Sequence, residues 1–368
     1  MDKMMIMVVD GCAPEYLTRE TAPGLYALAG KLGFMKTVKS AIPSVTNVNH
    51  ACILSGRFPK DTGVVGNYYY KPETGEEGFI EERGFMQAET ILQAYKKAGK
   101  TTALLTVKGK VLGVYGDGAD TGISVQTPDP EVLKRLGLSQ PPKVQSPEST
   151  RWILEAALAC VKTEDPDLLY CTTNDYVFHH WGPGTAEAEE QIHWLDEYIC
   201  RIHQADPERR IYITADHGMN QKRHLINFQA MADRRGIRLY CLPPLKDRYI
   251  ENHIYQEGGI LYVFLKNEEE REAFLELAQS TPEIERVMES SQAAEAFHLP
   301  AGRIGDYVLL AAEDCAFGEV EGERLNTDAV RTHGSLYEQE IPLWTVHPQA
   351  SPERYQYSKD IAAIAMGI

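Results

Sequence analysis

Residues 168–180 read LLYCTTNDYVFHH: a short β-type run at 168–172, a carboxylate at Asp175, and an imidazole at His179 four positions later. An apolar run of this length between polar neighbours reads as a buried strand. On one helical turn Asp175 and His179 face the same direction and can hold one metal ion, although such a pair is also common surface chemistry. The pattern recurs elsewhere in the chain. Residues 211–215 read as a strand and run into Asp216-His217-Gly218, and residues 5–9 read as a strand and run into Asp10. Further runs at 102–107 and 342–346 alternate with segments of helical period at 89–98, 148–161, 186–203 and 358–365. This alternation predicts an α/β fold, a mostly parallel sheet flanked by helices. Ligands in such sheets gather at the C-terminal ends of the strands, where Asp10, Asp175, Asp216 and His217 are delivered.

Two stretches break the alternation. Residues 117–147 are rich in Gly, Pro and Gln and read as an exposed loop excursion. Residues 224–328 change to a strand at 260–265, a helix at 268–279, a second short helix, and a strand at 307–312. We read them as a smaller α+β cap inserted into a core made of residues 1–223 and 329–368. The 368 residues, 43 % apolar and 24 % charged, are enough for a sizeable core, and the net charge of −16 opposes a protein that binds a nucleic-acid backbone. The apolar run at 4–9 ends in Asp10 without a basic leader, and no segment is long and apolar enough for a membrane helix. A cytoplasmic address without a membrane partner is the expectation. Seven scattered Cys without a CxxC pair read as reduced, mostly buried thiols.

Three further features bear on chemistry. Thr46 lies at an expected helix start, where N–H groups and the helix dipole favour an anion, or where Thr is simply an N-cap. Lys108 and Lys110 follow the strand at 102–107, as a cationic pair or a solvated turn, and His333 stands in Arg331-Thr-His-Gly334.

The order Asp10, Thr46, Asn67, Asp175 with His179, Asp216 with His217, and His333 is carried by PSVTNVNHACILSG (43–56), GVVGNYYY (63–70), TTNDYVFHH (172–180), TADHGMNQK (214–222) and RTHGSLYEQEIPL (331–343). Over nearly the whole chain it resembles the nucleotide pyrophosphatase/phosphodiesterase branch of the alkaline phosphatase superfamily, and within that branch the phosphonoacetate hydrolases. The resemblance implies an alkaline-phosphatase-like fold and two zinc ions per chain. One would be held by Asp175, His179 and His333, the other by Asp10, Thr46, Asp216 and His217. Three carboxylates, three imidazoles and a hydroxyl suit zinc chemically. Thr46 would be the nucleophile, forming a phosphothreonine, and Asn67 would contact a phosphoryl oxygen. Lys108 and Lys110 would bind a substrate carboxylate, with Arg248 and His253 closing over it from the cap. The implied reaction is cleavage of the C–P bond of phosphonoacetate to acetate and phosphate. The alternatives are nucleotide phosphodiester hydrolysis, hydrolysis of a related carboxylated phosphonate, and zinc binding without turnover. Gly109 between the lysines and Lys71 after GNYYY depart from the family pattern near the expected substrate end. The expected partner is a small anionic phosphonate or phosphate ester, and a homodimer is the default assembly.

Overall fold

The computed structural model describes residues 2–247 and 258–368. The run that opened the reading forms a strand at Leu168–Thr172 with all five residues buried. Strands covered on both faces have no polar side to show to water, hence the continuous apolar runs. Seven strands make the main sheet: β1 (Met4–Val8), β2 (Met35–Lys39), β3 (Thr102–Thr106), β4 (Thr121–Ser124), β5 (Leu168–Thr172), β6 (Arg210–Thr214) and β7 (Glu340–Val346), in the spatial order β2-β7-β6-β1-β5-β3-β4. β1 is central and parallel to both β5 and β6, with Met4 opposite Leu168 and Arg210. β7 alone runs antiparallel, to β2 and β6. Each buried aliphatic side chain of β1 contributes about 1.5–3 kcal/mol.

The flanking helices form two groups that pack among themselves. Pro23–Leu32, Pro147–Thr163 and Ala186–Ala205 make one; Thr46–Ser55, Ile91–Lys97, Gly109–Tyr115 and Asp360–Met366 make the other. A four-stranded antiparallel sheet in the order Leu239–Leu242, Ile260–Leu265, Tyr307–Ala311, Ile284–Glu289 carries apolar clusters of its own. In a three-stranded sheet, Arg324–Thr332 pairs antiparallel with Asn220–Ile226, so that its last residue delivers His333. This is the mostly parallel α/β architecture with small antiparallel sheets.

One sequence expectation fails locally. Residues 117–147 contain β4 and a helix at Pro130–Leu136, where Asp129 accepts hydrogen bonds from the N–H groups of Glu131 and Val132, Pro130 starts the helix and Gly137 ends it. Those capping signals are local and outrank the overall Gly and Pro content. After β3, where the sequence left a cationic pair or a solvated turn open, the lysines are buried: Lys108 is the N-cap of the helix Gly109–Tyr115 and Lys110 lies in its first turn. Among the described residues no helix is long and apolar enough to cross a membrane, and no disulfide joins the cysteines.

Candidate active site

The ends of β1, β5 and β6 meet because the strands are parallel neighbours. β1 leads into Asp10 and β6 into Asp216, while β5 is followed by Asp175 and the short helix Tyr176–His180. Gly11 has φ of +76° and donates its N–H to Asp216 Oδ1 at 3.2 Å, drawing the first strand's exit against the third's. A side chain at Gly11 would press on Asp175 Cβ at 3.1 Å. Asp10, Thr46, Asp175, His179, Asp216, His217 and His333 are all buried, none more than 4 % exposed. Three surface clefts, of about 640, 560 and 530 Å³, are lined by none of them.

Asp175, His179 and His333 offer ligand atoms within 4.8 Å of one another, and so do Asp10, Asp175 and His217. Asp175 thus stands between two sets. Asp216 joins the second, its Oδ2 3.3 Å from His217 Nε2. The imidazole Nδ1 atoms all face backbone carbonyls: His179 that of Arg331 at 2.7 Å, His217 that of Gly218 at 2.9 Å, and His333 that of Ser44 at 2.7 Å. A carbonyl only accepts, so Nδ1 carries the hydrogen in each ring and the Nε2 lone pair is left for a metal. The rings of His217 and His333 stack with centroids 3.4 Å apart.

The electrostatics ask for cations at this point. Burial, then the charges of Asp175 and Asp216, push Asp10 up to about 8, and burial pushes Asp216 up to about 6. Burial pulls His217 down to about 4 and holds His333 well below the usual imidazole range, so both rings are neutral near pH 7. Burial acts upward on Asp175 too, but Lys108 and His179 outweigh it and keep its carboxyl well below the ordinary value. Both oxygens of Asp10 and Oδ2 of Asp216 lack a hydrogen-bond donor. Buried carboxylate oxygens without donors, facing imidazole lone pairs, fit divalent cations with nitrogen and oxygen ligands. These residues therefore fit the two-metal set that the resemblance implied.

Thr46 is the first residue of the helix Thr46–Ser55, whose cap is Val45, and its Oγ1 lies 3.4 Å from His217 Nε2. Its hydroxyl is therefore not spent on capping. Asn67 Oδ1 accepts from the Asn47 N–H at 3.1 Å, and one N–H of its amide donates to Leu245 O, also at 3.1 Å. Lys108 Nζ lies 2.8 Å from Asp10 Oδ2, without hydrogen-bond alignment, and 2.7 Å from Asp175 Oδ2. Burial works downward on its ammonium, yet Asp10, Asp175 and Asp247 together hold it above the ordinary lysine value. Lys110, equally buried, pairs with Asp247. Gly109 is explained by a close approach: its N–H donates to Gln126 Oε1, which a Cβ would meet at 2.8 Å. Lys71 sits on an exposed hairpin paired with Glu76, away from the cluster. Arg248 and His253 lie outside the described residues.

His180 turns outward and bonds the Tyr176 carbonyl, and His50 is buried against the Tyr170 hydroxyl. Sequence reasoning missed Ser44, whose carbonyl orients His333, and Glu338, which holds the turn after it. The Ser-x-x-Glu spacing at 335–338 is a capping-box signal that could have found Glu338.

The chain resembles several known proteins. Crystal structures of phosphonoacetate hydrolase from Sinorhizobium meliloti, with phosphonoformate or phosphonoacetate, share 27 % identity, with TM-scores of 0.87 and 0.88, over 100 % of this chain and 95 % of theirs. Murine ectonucleotide pyrophosphatase/phosphodiesterase 5 in complex with AMP shares the fold at 17 % identity, with a TM-score of 0.68 over 100 % of this chain and 94 % of that one. An ectonucleotide pyrophosphatase/phosphodiesterase of Caenorhabditis elegans is 26 % identical over 246 residues, 64 % of this chain and 31 % of the relative. The chain spans less than a third of the length of the curated relatives it matches. Residues 4–336 match the description "Type I phosphodiesterase / nucleotide pyrophosphatase", and the chain belongs to that family.

Proposed function

We propose that this chain is a zinc-dependent hydrolase that cleaves the C–P bond of phosphonoacetate through a phosphothreonine on Thr46. The observation that carries this reading is the pair Lys108 and Lys110, two buried ammonium groups beside the cluster that already face carboxylates. The phosphonoacetate-bound Sinorhizobium structure supports it. Asp175, His179 and His333 would hold one zinc ion, and Asp10, Thr46, Asp216 and His217 the other. Bound there, the two ions supply charge to the phosphoryl oxygens and lower the pKa of the attacking hydroxyl.

The chain's own groups do the rest. Thr46 Oγ gives its proton to solvent water and forms a bond to phosphorus as the P–C bond breaks. The electron pair leaves on carbon and delocalises into the adjacent carboxylate. Lys108 and Lys110 stabilise that charge, and the carbon takes up a proton to give acetate. Asn67 directs its amide at the phosphoryl group. Water then cleaves the phosphothreonine, releasing phosphate and restoring the Thr46 hydroxyl. Residues 224–328 serve as the cap. In support, the main-chain oxygens of Pro244 and Leu245 bond Asn67, and Asp247 holds Lys110. Arg248 and His253 close the carboxylate pocket in this reading.

A nucleotide pyrophosphatase/phosphodiesterase activity is the second reading, favoured by the family match over residues 4–336. Phosphate release from phosphonoacetate by zinc-loaded protein, run beside a nitrophenyl phosphodiester and a chelator-treated control, separates the two. Metal-dependent release from phosphonoacetate supports the first reading. Turnover of the diester alone keeps Thr46 and the metals but removes the carboxylate role of the lysines.

A further inference from the structure

A fully buried ion pair lies outside the ligand set, behind His333. Lys222 on the strand Asn220–Ile226 and Glu338 have side chains 0 % exposed, with Lys222 Nζ 2.7 Å from Glu338 Oε1. An interior charge pair is costly to desolvate, and breaking it by removing one partner leaves an uncompensated buried charge. Both oxygens of Glu338 are satisfied. Glu338 Oε1 also accepts from Asn220 Nδ2 at 3.0 Å, and Oε2 accepts from the Ser335 N–H at 3.0 Å and the Ser335 hydroxyl at 2.6 Å. Lys222 spends a second hydrogen on Glu313 O at 2.7 Å.

The pair therefore grips Ser335, two residues after His333, and Ser44 grips the same turn from the other side. The Ser44 hydroxyl donates to Ser335 O at 2.7 Å and accepts from the Gly334 N–H at 3.1 Å, while the Ser44 carbonyl takes His333 Nδ1–H. Ser44 stands two residues before Thr46. The turn bearing His333 is thus clamped between the nucleophile's own loop and a buried charge pair. We infer that Lys222 and Glu338 are a positioning pair that sets His333 for the ion it shares with Asp175 and His179. The inference rests on the two-metal reading above.

The test is a titration of the metal-stripped full chain with zinc alone, reading stoichiometry, affinity and Tm. Wild type should bind two ions. Glu338→Gln and Lys222→Met should each weaken one of the two by roughly tenfold or more, the range typical of residues that orient metal ligands, while the other ion binds as in wild type. His333→Ala should lose that same ion. Should either variant not fold, Ser335→Ala, which removes the hydroxyl that donates to Glu338 and accepts the Tyr337 N–H, decides the matter by a smaller loss at that ion. Variants that fold, lose Tm and still bind both ions with unchanged affinity overturn the inference and leave the proposed function standing. A wild-type chain that binds no zinc overturns both.

Discussion

Thr46 occupies the first turn of its helix instead of the cap position, and its neighbour there is His217. A hydroxyl with no capping duty, buried beside a metal-type imidazole, is disposed for chemistry. Thr46→Ala should therefore retain much of the metal, through the remaining ligands Asp10, Asp216 and His217, and lower turnover by at least roughly a thousandfold, as loss of a covalent nucleophile does. Metal content and kcat measured on the same preparation check this, and unchanged turnover would remove Thr46 from its role. The lysines make a second prediction. Only a carbon leaving group needs its developing charge held by cations, so Lys110→Ala should reduce kcat/KM for phosphonoacetate far more than for a nitrophenyl ester. Equal losses would assign Lys110 a general electrostatic part. The residue types of the cluster were legible along the chain. Their protonation was not, because the carbonyls that face Nδ1 of His179 and His333 come from a strand residue, Arg331, and a loop residue, Ser44, far away in sequence.

At the scale of elements, β1, β3, β5, β6 and β7 were legible to within two residues at their ends because a buried strand announces itself by a continuous apolar run, whereas β2 and β4, which carry no such run, were not read as strands. The helix Thr46–Ser55 is different, with all ten residues buried although five of them are polar. Its polar groups turn inward to partners: Asn49 binds the main chain of Ala41, Pro43 and Val45, and Asn47 Nδ2 donates to Ile80 O. The helix Gly109–Tyr115 was not anticipated, since two glycines and a lysine carry little apolar period. Its start depends on the contact between Gly109 and Gln126. Gly109→Ala should consequently lower Tm and raise KM for the substrate, as the added Cβ meets Gln126 Oε1 and displaces the first turn that carries Lys110. Thermal unfolding and steady-state kinetics check both, and a variant with wild-type KM would show that the turn has room to shift.

At the scale of the whole molecule, parallel pairing brings three acidic strand exits together, and the fold tolerates them only with positive charge between. In the metal-stripped chain, burial and neighbouring carboxylates raise Asp10 from 3.8 to about 8. A folded pKa above the unfolded one gives stability that is present at low pH and lost progressively as pH rises through that window, from about 4 to about 8. The Tm gap between zinc-loaded and chelated protein should widen over the same window, because bound metal supplies the charge that the proton supplied. A gap independent of pH would contradict the clustering of Asp10 with Asp175 and Asp216. By itself the sequence determined the α/β alternation, the positions of the strands with continuous apolar runs and the identities of the metal-type residues, since periodicity and strand-end chemistry are local properties of a chain. Only the tertiary structure decided that Asp175 stands between two ligand sets, that Lys108 lies among the carboxylates, and that Lys222 and Glu338 brace the turn after His333. Those contacts join residues far apart along the chain, and their geometry is set by sheet order and long-range packing, which no local pattern encodes.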